Sequence, residues 1–448
     1  MFGPFASQEK KMRGHAANWL ELAEKVYHYR RDMLPPTEVA EIQARSAQLR
    51  SDMKDKNNAA KLKLSIESLE AALRRTGGKI YPKSSFVENI EFFLVAAIVI
   101  LGIRTYFVQP FKIPTNSMWP SYFGMTPEVF KTTQDEPGAI AKVARLAAFG
   151  ARGRRMDAPA DGEVLIPIGN VAGRSGAAHY RIVNGRSWGV IPTKLREYTL
   201  YVDNAPVSVT VPMDFDFDWA LREMYFPKAG RLEEAIFPLL SSGQFEWREV
   251  AEDGRKVRMQ FIRTGKKVRA GERILSFDIL TGDQLFVDRM SYHFVQPSVG
   301  SGFVFRTARI PGIFDTYGDQ YYIKRLVGGP GDTLEVVRGD AKNGDATTGK
   351  LDRRDPTGVL LRNGAPIQGA TAFTRNNDRE GLYRGYQAIG LLQFGQKLVV
   401  PPHEFFALGD NSGNSSDGRY WGFVPEKDVV GRPLMIYYPF TKRWGPAR

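Results

Sequence analysis

From Phe92 to Ile103 the chain carries no charged residue, and the apolar run around this stretch extends from Ile90 to Val108. Nothing else in the sequence constrains the fold as strongly. The uninterrupted part is shorter than the ~18 apolar residues usual for a bilayer span. Glu91 and Arg104 lie near its ends, where charged side chains can snorkel, and Tyr106-Phe107 suits an interfacial belt. A transmembrane helix over 90–108 is therefore expected, with a buried core helix as the alternative. No second run of this kind follows, so residues 109–448 are expected to form one body on one side of the membrane. Lys and Arg are plentiful in 1–83, which places that part on the cytoplasmic side and the body outside.

Residues 1–85 read as a polar helical arm. Pro35-Pro36-Thr37-Glu38 is a helix start. Leu62, Ile66, Leu69 and Leu73 share one helical face, as in a helical hairpin or short coiled coil. Thr76-Gly77-Gly78 ends the region. The formal charge of +13 fits nucleic acid, anionic lipid or plain solubility equally well. The absence of cysteine excludes disulfides, thiolate metal sites and a Cys nucleophile. Five scattered histidines without paired spacing give no His-based metal site and few candidates for a Ser-His-Asp triad.

The body reads as strands. Tyr198–Val202 and Val207–Val211 flank the turn Asp203-Asn204-Ala205-Pro206, a hairpin signal. Residues 257–262, 273–277, 284–287, 303–306, 321–327 and 333–337 are further strands, and there is no βαβ alternation. The fold class expected is mainly β. Within the body, 126–272 stands apart as a β-rich module with basic clusters. Its ends, around Asp157 to Val164 and Thr264 to Glu272, resemble the halves of a split biotinyl/lipoyl-type β-sandwich, without a modified-lysine signature between them.

Three stretches carry candidate chemistry. In Ile113-Pro114-Thr115-Asn116-Ser117-Met118-Trp119-Pro120, two prolines exclude a regular helix and leave Ser117 in a loop or at a strand edge. In Tyr321-Tyr322-Ile323-Lys324-Arg325-Leu326-Val327, a lysine sits inside an apolar strand. Such lysines usually face water. One facing inward is desolvated, loses its proton more easily and becomes a competent base for a serine. The third stretch, Leu408-Gly409-Asp410-Asn411-Ser412-Gly413-Asn414-Ser415-Ser416-Asp417-Gly418-Arg419, is a dense polar turn whose side chains can cap and pair. It lacks the spacing and terminal Glu of a calcium loop.

In this order, an apolar anchor, IPTNSMWPS, GDQLFVDRMSYHF, YYIKRLVGGPGD and LGDNSGNSSDGRYWGFVP resemble bacterial type I signal peptidase. The match covers roughly 90–125, 277–337 and 398–438. The resemblance implies a membrane-bound serine endopeptidase that cuts signal peptides after small residues at −1 and −3. The catalytic body, of coiled antiparallel sheets, would comprise 109–125 and 273–448. Ser117 would be the acyl-forming nucleophile and Lys324 the general base. The Ser117 N–H and Thr115 hydroxyl would form the oxyanion hole, such donors being worth about 3–4 kcal/mol each. Ser415 would orient the lysine, and Asp410, Asp417 and Arg419 would shape the polar turn. Phe111, Ile113, Met118, Tyr322 and Ile323 would line the substrate pockets, with the substrate adding as a strand.

No metal or organic cofactor is implied. The partners implied are signal peptides of exported preproteins, the lipid bilayer and the export machinery, and not nucleic acid. The location implied is the cytoplasmic membrane, crossed once. A non-enzymatic membrane-anchored adaptor with lipoyl-like β modules is the alternative; it leaves the serine and lysine blocks unexplained.

Three departures from the family pattern bear on the site. Thr115-Asn116 replaces Ser-Gly before the nucleophile, Ser412-Gly413 replaces Arg-Asp in the polar turn, and Val299-Gly300-Ser301 replaces Arg-Gly-Asp. A salt bridge of the turn is thereby expected to be lost. The largest departure is the stretch 126–272 itself. It contains no dyad or oxyanion candidate, so its removal is expected to leave Ser117 reactive.

Overall fold

The computed structural model describes residues 8–54, 59–82, 85–171, 174–187, 190–252, 255–339 and 356–447. The chain divides into two compact units, the first ending at Gly102 and the second beginning at Ile103. In the first unit, α1 (Gln8–Arg30), α2 (Pro36–Asp52) and α3 (Ala59–Thr76) pack around one core. Pro36 occupies the first turn of α2, where its missing N–H costs nothing. Leu62, Ile66, Leu69 and Leu73 are all buried, as their spacing predicts. The arm is a three-helix unit rather than a hairpin, because α1 adds Ala16, Ala23 and Val26 to the same core. Next comes α4 (Ser85–Tyr106), the one described helix long and apolar enough to cross a membrane, with none of its 22 residues buried.

The second unit is mainly β. Its largest sheet runs, in spatial order, Val108–Lys112, Gln284–Asp288, Val429–Tyr438, Gly302–Arg306, Tyr321–Gly328, Glu404–Leu408 and Val424–Pro425. Every pairing in it is antiparallel, and several registers shift, so the sheet coils rather than lying flat. A smaller sheet, Thr333–Val337 with Thr357–Arg362 and Lys397–Val399, covers a separate apolar cluster around Val336, Leu360 and Phe406.

The segment 126–272 builds its own antiparallel sheet from strands between Gly162 and Val268. The predicted hairpin is present, tightened to a two-residue Asp203-Asn204 turn by the pairing of Val202 with Ala205. Three helices were not legible: α5 (Ala139–Phe149), α6 (Phe217–Tyr225) and α7 (Leu232–Ser241). The segment is also joined to the body more closely than its ends suggest. Strands Thr126–Val129 and Arg152–Asp157 flank Arg273–Leu280 in one sheet. Met125, Ile274, Leu275, Phe277 and Ile279 share a single core with Val164, Phe215, Phe217 and Leu221.

Candidate active site

Ser117 lies in a short 3-10 turn, Asn116–Met118, that leaves the edge strand Val108–Lys112 through Ile113, whose N–H donates to the Asp283 carbonyl at 2.8 Å. Asn116 pins this turn from inside. Its Nδ2 donates to the Met125 carbonyl at 2.8 Å, and its Oδ1 accepts the Gly124 N–H at 3.0 Å. Gly124 must be glycine, because a Cβ there would fall 2.2 Å from the Thr115 carbonyl carbon. Asp283 fixes the next residues. It accepts the Phe123 N–H at 2.8 Å and pairs with Arg443 at 2.8 Å. Asn116 is 4% exposed, so replacing it strands two buried backbone groups. Asn116→Ala is expected to destabilise the detergent-solubilised protein by roughly 2 kcal/mol in denaturant titration, and a loss below about 0.5 kcal/mol would contradict this role.

Lys324 is the residue whose direction the sequence leaves open. It faces inward: 4% exposed, on a strand flanked by Gly302–Arg306 and Glu404–Leu408. Its Nζ donates to Ser117 Oγ at 2.7 Å, and Ser117 is itself 8% exposed. Burial pushes the Lys324 ammonium down to about 8; Asp417 and Asp410 oppose the shift and Arg419 adds to it. The Tyr322 ring lies 5.5 Å from Nζ. A lysine that deprotonates near neutrality, hydrogen-bonded to a buried serine hydroxyl, can take that hydroxyl's proton.

The polar turn locks onto both sides of this pair. The Asn411 N–H donates to the Ser117 carbonyl at 3.0 Å, and Asn411 Nδ2 donates to the Asn116 carbonyl at 3.0 Å. Asp417 accepts the Gly409 N–H at 3.0 Å and holds Arg419 through two contacts of 2.8 and 2.7 Å. Ser412, where the resemblance predicts a lost salt bridge, keeps Arg419 satisfied. Its Oγ accepts Arg419 Nη1 at 2.8 Å and the Gln387 N–H at 2.9 Å. Asp410 pairs not within the turn but with Arg325, at 2.7 and 2.6 Å. Arg325 was not singled out from sequence. The signal was its place beside Lys324 in an apolar strand, where successive side chains point to opposite faces.

Ser415 departs from the expectation. Its Oγ is buried and has no hydrogen-bond partner, so the expected bond to Lys324 is not formed. The hydroxyl abuts Gly409 instead: a Cβ on Gly409 would fall 2.2 Å from Ser415 Oγ and 2.5 Å from the Ser117 carbonyl oxygen. Thr115 is exposed beside the nucleophile and its side chain caps nothing. The pocket candidates fall in two clusters. Ile113 and Met118 are buried in one cluster, with Phe111 and Ile323 packed against it. Tyr322 packs on the neighbouring cluster, and Phe111 meets Tyr321 at 5.1 Å.

Comparison with known proteins points the same way. A family model described as "Signal peptidase, peptidase S26" matches residues 275–438. A probable signal peptidase I-1 from Synechocystis sp. is 29% identical over 164 residues, 37% of this chain and 66% of the relative. The signal peptidase I of Aquifex aeolicus is 30% identical over 188 residues, 36% of this chain and 70% of the relative. The chain thus spans just under two thirds of the first relative's length and slightly more of the second's. A crystal structure of a signal peptidase I from Enterococcus faecalis V583 aligns over 31% of this chain and 97% of its own at 25% identity, with a TM-score of 0.19, too low to compare the folds.

Proposed function

This chain belongs to the bacterial type I signal peptidase family, and on that premise we propose that it is a Ser-Lys endopeptidase that releases exported proteins from their signal peptides. One observation carries the mechanism: the 2.7 Å hydrogen bond between a buried lysine and a buried serine in a chain with few histidines to serve instead. In this reading neutral Lys324 accepts the Ser117 proton as Oγ attacks the scissile carbonyl. The Ser117 N–H and the Thr115 hydroxyl receive the oxyanion. The lysine then returns the proton to the leaving amine, and activates the water that hydrolyses the acyl-enzyme. Ser415 remains the proposed partner of the lysine once substrate is bound, since its hydroxyl is otherwise unsatisfied. The substrate would lie extended beside Val108–Lys112, with its small −1 and −3 side chains over Ile113, Met118, Phe111, Tyr322 and Ile323. Catalysis would rest on 109–125 and 273–448. The arm would be cytoplasmic, α4 the single span, and the second unit outside, against anionic lipid and the export machinery.

The test is direct. Detergent-solubilised protein is incubated with a preprotein and the cut located by mass spectrometry. A single cut after a small residue at the end of the signal sequence supports the reading; an intact preprotein overturns it.

The pH dependence follows from the lysine. Below its pKa of about 8, Lys324 is an ammonium and cannot accept the serine proton. The value of kcat/KM is therefore expected to rise about tenfold per pH unit on the acid side and to level off above about 8. A profile flat down to mildly acid pH would exclude the lysine as base.

A further inference from the structure

The inserted segment reaches the two turns that hold Ser117 at three points. Trp219 on α6 packs edge-on against Trp119, with ring centroids 5.6 Å apart. Asp216, the N-cap of α6, accepts Asn414 Nδ2 at 3.4 Å. Arg231, immediately before α7, turns the Nη2 edge of its guanidinium onto Gly413: a Cβ on Gly413 would fall 1.5 Å from Arg231 Nη2 and 2.5 Å from its Cζ. The body returns the same kind of contact. A Cβ on Gly230 would fall 2.1 Å from Nη1 of Arg384, whose Nη2 donates to the Gly230 carbonyl at 3.4 Å. Glu234 fixes the backbone between them, accepting the N–H groups of Gly230 and Arg231 at 2.9 and 3.2 Å.

We propose that Arg231 is a positioning residue of the catalytic centre, seated on Gly413 so that the inserted segment holds the 411–415 turn against the nucleophile. The seat exists because residue 413 has no side chain, and even a methyl group would overlap the guanidinium. From there the link to the reacting atom is short. Gly413 follows Asn411-Ser412, and the Asn411 N–H donates to the carbonyl of Ser117 at 3.0 Å. A guanidinium presents a planar, fixed edge of N–H donors that an ammonium does not, so the contact depends on shape as well as charge. This inference rests on the peptidase reading for its kinetic consequence, and it reverses the expectation that 126–272 is dispensable.

The experiment uses the full chain in detergent and four proteins: wild type, Arg231→Ala, Gly413→Ala and the double variant. Gly413 is not in the left-handed region, so alanine there strains no backbone and acts only by displacing Arg231. Hydrogen exchange at the Asn411 amide is expected to accelerate in both single variants, and no further in the double. Preprotein cleavage is expected to lose about tenfold or more in kcat in each, with KM within about twofold, because a small displacement of the nucleophile acts on chemistry rather than on binding. Unchanged exchange in Arg231→Ala, or additive effects in the double variant, overturns the proposal. Wild-type protein that cleaves no preprotein would overturn the peptidase reading, while the exchange comparison would still decide this one.

Discussion

Ser117→Ala and Lys324→Ala are each expected to lower the rate of signal-peptide cleavage on the order of 10⁴- to 10⁶-fold, the largest effect any single change in this chain should have. The two side chains act on one proton, so either loss removes the whole transfer and the double variant should match the singles. Lys324→Arg is the sharper test. It keeps a long basic side chain, somewhat longer and bulkier, but a guanidinium does not give up its proton near neutrality, so it cannot serve as base. It should be as inactive as the alanine variant. Single-turnover cleavage followed by mass spectrometry separates a dead enzyme from one that merely binds poorly. Substantial activity in any purified variant, with contaminating peptidase excluded, would remove the dyad from the mechanism.

Much of this site was legible in the sequence because its parts are local. Two prolines around Ser117 announce a loop, and a lysine between isoleucine and arginine in an apolar strand announces a residue worth watching. What was not legible is long-range. Ser117 and Lys324 are 207 positions apart, and only the strand register brings Phe303 opposite Lys324 and so turns that side chain inward. The partner of Asp410 was hidden for the same reason. Arg325 lies 85 positions away, and a turn so rich in polar groups offers many nearer partners. Asn116 looked like a departure from the family pattern. Its role depends on Gly124 and Met125 folding back to meet both ends of its amide.

The helices of the inserted segment were lost to local disguise. Pro238 lies inside α7 and breaks the pattern that would mark it as a helix. In Asp214-Phe215-Asp216-Phe217-Asp218-Trp219 the aromatic residues alternate with a period of two, which shows no helical face. Phe215 and Phe217 are both buried, but Asp216 caps α6 by accepting the Trp219 N–H at 3.3 Å. In the arm, the fully buried residues of α1 are only Ala16, Ala23 and Val26, and its larger apolar side chains, among them Trp19, Leu20 and Leu22, are only partly buried against the core, so no clean apolar stripe marks it as a third packed helix.

The second large effect concerns stability. Arg325 is 3% exposed and Asp410 2% exposed, and their two-point contact at 2.7 and 2.6 Å is completed by Arg325 Nη1 donating to the Gly300 carbonyl at 2.7 Å. The pair ties the strand carrying Lys324 to the turn carrying Asn411, and Asn376 Nδ2 holds the Asp410 carbonyl at 3.0 Å. Taking two charges out of water costs nearly what their attraction returns, so the intact pair adds little net stability. Breaking it is different, because the survivor is left charged and unpaired in a buried site. Asp410→Ala is expected to destabilise the protein by about 3–5 kcal/mol, and to lower activity through the loss of strand register beside Lys324. A paired replacement, Arg325→Met with Asp410→Leu, should be markedly less harmful than Asp410→Ala alone, since it removes both charges and fills the site with apolar side chains. Thermal or denaturant unfolding of the three proteins in one detergent distinguishes the cases. If Asp410→Ala falls within about 1 kcal/mol of the unmodified protein, the site is wetter than its burial indicates, and the clamp on the lysine strand must come from the backbone pairing alone.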